Sequence, residues 1–513
     1  MKIKRILANT FTVGSFTALS RVLGLVREMM QSRLVGAGVA QSAFTLAFAL
    51  PNMARKLFGE GALTAAFVPV FKSVAQREGL EAAERLSRAV MTSVLLLLAA
   101  ATALAATGVG SAFALADRFG FSERTRLTLH LVTILLPYML AICGAAFGMG
   151  VLNAMGRFKA AGLVPSILNA VWIAALAALA FFPGTTAAQR TVAVSWAILG
   201  GGAAQFGYMA WRMKRAGVSP APRFSGWGEK NVRLVWRNMW IAAAGSGAVQ
   251  LNYLLDQALA QAASPWAAGV VGYAERLLDL PLGVVGVAFG TVLLPAFSGF
   301  FAKGDAEGAK DAMASSLSSL LFVMIPASVG LAVLSRETTA AIYQGGEFDA
   351  VATARVARAL AVYSAGLCLF SLQKVLTPFF QAQGDMKTPV RTTFATVLMN
   401  ATLNVLAVWL LPEEWRHVGL AASTVLCAGA GCAILWACAV RRNGPLGFGK
   451  VFARSARHLF AAAAMGCALV ALRPFAATRI AANCAGAGDV VSLAFLVAAG
   501  MAIYGSICFI LRK

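Results

Sequence analysis

The chain has 513 residues, of which 59% are hydrophobic and only 13% are charged, and its mean hydropathy is +0.74. Soluble globular domains carry about 25% charged residues, so this composition does not fit one and predicts a membrane protein with many spans. The net charge of +23 would suggest nucleic acid as a partner of a soluble protein. In a membrane protein the positive-inside rule accounts for it, and we expect no nucleic-acid partner.

Apolar segments follow one another along the whole chain. They are apolar throughout and do not alternate with a period of two, which favours helices over a barrel. The fold class predicted is an all-α polytopic membrane protein with about 14 transmembrane helices. The predicted helices cover 11–34, 40–71, 88–116, 127–152, 160–182, 191–211, 238–261, 266–300, 312–334, 353–382, 388–411, 417–440, 455–472 and 488–511.

The loops predict the orientation. An even number of spans puts both termini on one side, and the loops of that side hold more than twice as many Lys and Arg residues as the opposite loops. Loops rich in Lys and Arg stay in the cytoplasm, so we expect both termini there.

An internal repeat predicts two similar halves. Residues 66–71 resemble residues 292–297, and residues 153–156 resemble residues 381–384, at nearly equal offsets. Two parallel repeats of six helices, with a substrate site in a central cavity between them, are a common plan for transporters. The predicted parts are a six-helix lobe over 1–212, a basic cytoplasmic linker over 213–237, a second six-helix lobe over 238–441 and two additional helices within 442–513.

The first two predicted helices carry charges where a bilayer tolerates them least. Arg21 and Arg27 lie in the first helix and Arg55 in the second. A charge at this depth is normally found only against a protein interior or a watery cavity. On the second helix Asn52, Arg55 and Glu60 share one face by their spacing. The pattern therefore predicts a cationic cavity within the membrane.

Later helices add further charges. Glu275 and Arg276 are adjacent on the eighth predicted helix, and Lys374 lies in a polar stripe of the tenth, where packing hydrogen bonds are the favoured role. Asp256 is alone on the seventh.

Two interpretations of these charges stay open. Carboxylates such as Glu28, Glu60 and Glu275 could pair with the cations as static braces, although buried pairs add little net stability. Alternatively, the guanidinium groups form an anion site, because their planar fork of donors suits phosphate oxygens. The second interpretation assigns substrate binding to Arg21, Arg27, Arg55, Arg276, Asn52, Glu60, Glu275 and Lys374.

The sequence carries no catalytic or metal-binding motif. GxSxG, HExxH and P-loop patterns are absent, and the eight cysteines and three histidines are scattered without a CxxC pair. We therefore expect a transporter rather than an enzyme, without a cofactor, driven by an ion gradient, the membrane potential or consumption of the substrate elsewhere.

Several of these charges belong to segments that resemble the MurJ (MviN) family of the multidrug/oligosaccharidyl-lipid/polysaccharide exporter superfamily. The segments are Ser20-Arg21-Val22-Leu23-Gly24-Leu25-Val26-Arg27-Glu28, Leu50-Pro51-Asn52-Met53-Ala54-Arg55-Lys56-Leu57-Phe58, Tyr273-Ala274-Glu275-Arg276-Leu277 and Gly384-Asp385-Met386-Lys387-Thr388-Pro389. The resemblance implies a lipid II flippase of the bacterial inner membrane. It also implies that membrane lipids surround the chain and that cell-wall synthesis proteins are partners.

The resemblance also implies roles for particular residues. The essential cavity arginines of the family match Arg21, Arg27, Arg55 and Arg276, and its last two helices, which form a groove for the lipid tail, match 455–472 and 488–511. Some relatives bind Na⁺, and that region matches Asp256, Asn400, Asn404 and Thr424. Asn404 replaces an acidic residue of some relatives, and Ser42 stands where relatives often have Asp, so any role of that carboxylate is in doubt here. Coupling to Na⁺ or H⁺ is therefore a hypothesis, and a packing role for the asparagines is its alternative.

Other functions fit less well. The alternative transporter function is export of another polyprenyl-linked glycan or of an amphiphilic compound. Drug exporters of this superfamily favour cations and would need an acidic cavity, whereas this one is predicted to be basic. An enzyme acting on lipid-linked sugars would need an acidic cluster, and a scaffold without transport would not need its cavity charges.

Overall fold

The computed structural model describes residues 2–57, 62–115, 118–290, 292–444, 448–481 and 488–511. Within them the chain is helical and forms no strand beyond one isolated bridge between Gly345 and Phe348, which confirms the all-α prediction. The α-helices of the described residues are α1 Lys2–Val35, α2 Val39–Ala54, α3 Ala62–Arg77, α4 Leu80–Ala114, α5 Glu123–Leu135, α6 Tyr138–Ala154, α7 Phe158–Ala180, α8 Ala187–Arg215, α9 Lys230–Ala263, α10 Ala267–Gly290, α11 Leu293–Ala302, α12 Ala306–Val333, α13 Ser335–Tyr343, α14 Ala350–Ala365, α15 Leu367–Ala382, α16 Lys387–Leu410, α17 Glu413–Asn443, α18 Phe448–Phe475 and α19 Gly488–Ile510. Glu60 lies outside the described residues.

Some predicted spans contain more than one helix, and the single-helix prediction is wrong for the span over 353–382. The span over 40–71 consists of α2 and α3, and residues 55–57 after α2 form a π-helical turn. In the span over 127–152, a turn before Pro137, which has no N–H for a helical hydrogen bond, separates α5 from α6. The two helices still form one span of 32 residues, as predicted. The span over 353–382 bends by 42° where Gly366 separates α14 from α15.

Long apolar helices make this a multi-pass membrane protein. Within the described residues, eight helices or helix pairs are long and apolar enough to cross a membrane, and the bent pair α14–α15 makes up to nine. Helix α10 carries three charges, and α2 has only 16 residues. The count of about 14 spans stays a prediction.

The chain forms two compact units, Met1–Gln261 and Ala262–Lys513. In the first, α2 packs on α5, α3 on α6, and α8 on α5, α6 and α7. In the second, α10 packs on α14, α11 on α15, and α17 on α14, α15 and α16. The same packing order thus occurs in each unit. The predicted boundaries at 212, 237 and 441 stay predictions.

Equivalent side chains make equivalent bonds in the two units. In the first, Arg190 near the start of α8 donates to the carbonyl of Leu34 at 2.8 Å. In the second, Arg416 near the start of α17 donates to the carbonyl of Ala263 at 2.9 Å. Each arginine satisfies a carbonyl that the end of a helix leaves unpaired.

The turns at Gly156 and Gly384 have one geometry. Both glycines have φ of 74°, a backbone conformation that a side chain disfavours. The next residue, Arg157 or Asp385, donates its N–H to the carbonyl five residues earlier, at 2.8 and 3.0 Å.

The segment predicted as the linker is bound to α4. Arg88 donates to the carbonyl of Ala221 at 3.0 Å, and the N–H of Arg223 donates to Thr92 Oγ1 at 2.8 Å.

In the second unit, α18 and α19 pack on α12 through an apolar cluster that includes Met465, Leu469 and Tyr504.

Candidate functional site

A charged site with several described contacts surrounds Arg27 on α1 of the first unit. One amino group of its guanidinium donates to Asn169 Oδ1 at 3.0 Å, and the other pairs with the Glu28 carboxylate. The guanidinium carbon lies 4.3 Å from the centre of the Trp172 ring. Only 16% of the Arg27 side chain and 9% of the Glu28 side chain are exposed. A stacked and hydrogen-bonded guanidinium in such a position has a fixed plane and direction.

A chain of buried amides continues from this stack. Trp172 Nε1 donates to Gln31 Oε1 at 3.2 Å, and Gln31 Nε2 donates to Gln41 Oε1 at 3.2 Å. Gln41 in turn lies 3.4 Å from Thr45 Oγ1. Because both amides and the indole are buried, these bonds satisfy groups that would be costly to leave unpaired. They join α1, α2 and α7 around Arg27.

Asn169 holds α7 against α1. Its Nδ2 donates to the carbonyl of Ser20 at 3.1 Å while its Oδ1 accepts from Arg27. Neither Asn169 nor Trp172 was predicted as a site residue from the sequence, because both lie in an otherwise apolar segment. A lone amide in such a segment is itself a signal, since polar groups within a span need a partner.

The other predicted site residues of the first unit differ in how far their side chains are buried. Arg21 is exposed on α1. Arg55 follows the end of α2, is half-buried, and donates from Nε and one amino group to Asn52 Oδ1 at 3.2 and 2.9 Å. Lys56 Nζ lies 5.1 Å from the centre of the Tyr253 ring. Asn52 thus orients Arg55, as the shared face predicted.

In the second unit, Glu275 and Arg276 are half-buried on α10. The hydroxyl of Tyr363 on α14 donates to Glu275 Oε1 at 3.4 Å. Lys374 Nζ on α15 donates to the carbonyl of Leu282 on α10, also at 3.4 Å. This bond is one of the packing hydrogen bonds expected for Lys374.

The residues matched to a Na⁺ site fall into both units. Asp256 on α9 is half-buried and accepts from Asn252 Nδ2 at 2.9 Å. On α16, Asn400 and Asn404 are buried one turn apart, and α16 packs on α17. Thr424 of α17 donates to the carbonyl of Leu420 at 3.1 Å. Carboxylate, amide and hydroxyl oxygens suit a hard cation. No cluster of three or more His, Cys, Asp and Glu side chains with metal-binding geometry occurs among the described residues.

Comparison with known proteins identifies relatives over most of the chain. The family model described as lipid II flippase MurJ matches residues 31–484. A probable lipid II flippase MurJ of Rhizobium tropici is 34% identical over 468 residues, which are 90% of this chain and 86% of that protein.

Solved structures share the fold. A lipid II flippase MurJ in an inward closed conformation matches with a TM-score of 0.77 at 19% identity, over 97% of this chain and 98% of that one. An inward-facing multidrug resistance MATE family transporter of the MOP superfamily matches with a TM-score of 0.67 at 13% identity, over 85% of this chain and 98% of that one.

Proposed function

This chain belongs to the lipid II flippase MurJ family, and we propose that it moves lipid II across the bacterial inner membrane. The family is one of transporters, so the chain is a transporter and not an enzyme. The substrate would be the undecaprenyl-diphosphate-linked peptidoglycan precursor, carried from the inner to the outer leaflet. The names of the relatives support this substrate, and the charge pattern of the chain supports a diphosphate.

The observation that carries the proposal is the environment of Arg27. Its guanidinium is fixed by Asn169 and Trp172 and paired with Glu28. An unpaired charge in this position would be strongly destabilising. A diphosphate carries more charge and more acceptor oxygens than one carboxylate, so it competes with Glu28 for the same donors. Glu28 would then neutralise the charge of Arg27 between transport cycles.

The second unit would supply the remaining contacts to the head group. Arg276 is the cation expected to meet the diphosphate there, and Tyr363 holds the adjacent Glu275. Transport would proceed by alternating access while the polyprenyl tail stays in lipid along α18 and α19. Both termini would lie in the cytoplasm, and proteins of cell-wall synthesis would be partners.

Replacement of Arg27 by Ala tests this function. We expect Arg27→Ala to abolish both complementation of a flippase-depleted strain and lipid II movement in proteoliposomes, because the anion loses a charged donor worth about 1.5–3 kcal/mol. Arg33→Ala is the matched control, because Arg33 is an exposed arginine in the last turn of the same helix.

The controls separate function from folding. Arg27→Ala should still insert and purify as a monodisperse protein, and Arg33→Ala should keep its activity. Full lipid II movement by both Arg27→Ala and Arg276→Ala would contradict the proposed diphosphate site. Normal movement of a different polyprenyl-linked glycan, with no movement of lipid II by the wild type, would contradict the substrate.

A further inference from the structure

A cluster of arginine and tryptophan side chains in the second unit contains none of the residues assigned above to lipid II or to Na⁺. Arg355 of α14 lies over the ring of Trp266, with 3.9 Å between its guanidinium carbon and the ring centre. One turn later on the same helix, Arg358 lies over the ring of Trp415, at 5.3 Å by the same measure. Trp266 directly precedes α10, and Trp415 lies in the first turn of α17. The cluster therefore joins three segments of the unit.

His417 on α17 links the two stacks. Its ring packs edge-on against Trp266, with 5.0 Å between ring centres, and its Nε2 donates to the carbonyl of Arg355 at 3.2 Å. The side chain is fully buried, and Trp415 lies two positions earlier on the same helix. Because α14 packs on α17, both arginines are held along one contact between helices.

The two guanidinium groups keep their hydrogen-bond donors available. Within the described parts of the chain, neither Arg355 nor Arg358 pairs with a carboxylate, although Glu413 and Glu414 lie in the first turn of α17. A ring face fixes the plane of a guanidinium and leaves its N–H groups directed outward from the edge. Arg358 is exposed and Arg355 is half-buried, so an anion from solution can reach these donors.

The shared fold of the two units does not require these cations. Helices α5 and α14 both begin after a side-chain cap that accepts from the N–H three residues later. Counted from that cap, Arg355 corresponds to Thr128 and Arg358 to Leu131 of the first unit. Thr128 and Leu131 are uncharged and buried. The arginines of the second unit therefore need an explanation other than packing.

The positive-inside rule does not explain them either. Trp266 lies in the turn between α9 and α10, and Trp415 follows the turn between α16 and α17. In the orientation of the proposed function, with both termini in the cytoplasm, these turns face outward. Loops on that side are expected to be poor in Lys and Arg, and tryptophan is enriched where a span meets water. The stacked cations are therefore at the depth of head groups on the outer side.

We propose that Arg355 and Arg358 bind one diphosphate group at the outer surface, with a phosphoryl group on each guanidinium. Guanidinium forks bind phosphate oxygens in pairs, and residues three apart on a helix have Cβ atoms about 5–6 Å apart, which brings two forks to one diphosphate. The tryptophan rings already hold the forks in place, so binding costs less side-chain freedom. The proposal rests on the proposed function for its orientation and for a lipid-linked diphosphate as the source.

Thermal unfolding with inorganic diphosphate as the probe tests this site. The full-length protein with Arg27→Ala and Arg276→Ala is the background, so that the site of the proposed function does not contribute. We expect diphosphate to raise the Tm of this background through mass action. Arg355→Gln or Arg358→Gln should raise the diphosphate concentration needed for a given rise in Tm about tenfold, the effect of one lost charged hydrogen bond. The same changes in the wild-type chain give a second measurement if the background is unstable.

Matched variants distinguish the site from general attraction. Trp415→Leu keeps both charges but releases the plane of Arg358, and it should also weaken the response to diphosphate. Arg391→Gln and Trp409→Leu remove an exposed cation and an exposed ring of α16 and should respond like their parent at matched ionic strength. Equal weakening by Arg391→Gln would overturn the proposal. So would an unchanged response of both Arg355→Gln and Arg358→Gln.

Undecaprenyl diphosphate and phosphatidylglycerol identify the source of the phosphate. We expect undecaprenyl diphosphate to raise the Tm and Arg358→Gln to weaken this response, whereas any response to phosphatidylglycerol should not depend on Arg358. A response to inorganic diphosphate alone would overturn the lipid-linked source, and an Arg358-dependent response to phosphatidylglycerol would overturn the selectivity for diphosphate. An intact diphosphate response in a wild-type protein that moves no lipid II would support this site and contradict only the proposed function.

Discussion

Asp385 stabilises the start of α16 and its contact with α17. Its Oδ1 accepts from the N–H groups of Lys387 and Thr388, both at 3.0 Å. Its Oδ2 accepts from Thr388 Oγ1 at 2.7 Å and pairs with Arg442 at 2.8 Å. The hydrogen bonds from Thr388, with help from Lys387 and Arg442, hold the pKa of Asp385 below its usual range.

The stability of the protein should therefore depend on the charge of Asp385. Because its pKa is lower in the folded than in the unfolded state, its contribution is fully present above the unfolded value of about 4 and is lost as the pH falls through the folded value. We expect Asp385→Asn to lower the Tm in detergent at pH 6 and to lessen its fall between pH 6 and pH 3. Asp311→Asn, an exposed carboxylate of α12, should follow the wild type. A wild-type pH profile for Asp385→Asn would refute this role.

For Arg27, the sequence shows the charge of the residue but not the partners of its side chain. Its charge within an apolar segment is visible without a structure and predicts a buried cationic site. Its partners are not visible, because Asn169 and Trp172 are 142 and 145 positions away and uncharged. Only the packing of α1 on α7 brings them together.

At the scale of elements, close packing of α6 on α8 depends on Gly202. A Cβ at Gly202 would lie 2.4 Å from the ring of Tyr138, which is itself buried. A small residue at a helix contact lets two helices approach closely, and even one added methyl group has no room here.

We expect Gly202→Ala to destabilise the protein by about 1–3 kcal/mol, because the Tyr138 ring or the helix must move. Gly207→Ala on the same helix is the matched control, since a Cβ there meets nothing within 4 Å. It should be neutral or slightly stabilising, because Ala favours helix more than Gly. Thermal unfolding in detergent measures both variants. Equal Tm values for them would show that the contact of α6 with α8 is not tight.

The breaks in helices show a limit of hydropathy patterns. An apolar run predicts that a segment crosses the membrane, but α2 and α3, or α14 and α15, form one run in the sequence and two helices in the structure. Gly366 is a signal for such a break, but prolines such as Pro51 in α2 and Pro165 in α7 lie inside helices. Whether a helix breaks depends on its neighbours. They must form hydrogen bonds with the backbone groups that the break leaves unpaired, and they must fill the space beside it.

At the scale of the whole molecule, the two units repeat one packing order and place Asp256 and the pair Asn400 and Asn404 on different units. Na⁺ bound at the Asp256 carboxylate would stabilise the protein through mass action. We expect 100 mM Na⁺ to raise the Tm of the wild type relative to K⁺ and Asp256→Asn to lose this difference. Asp311→Asn removes a carboxylate elsewhere and should keep it. If K⁺ acts like Na⁺, or Asp256→Asn keeps the full response, the cation hypothesis should be dropped.

The sequence by itself determined the membrane class, the helical fold, the family and the intramembrane cations. The free-energy costs of burying a charge and of leaving backbone groups unpaired in lipid apply to each residue whatever its neighbours are. Tertiary structure decided which groups hold those cations. The stack of Arg27 on Trp172 arises from distant segments brought into contact. Such contacts depend on the shapes of several helices together, and no local pattern of residues specifies them.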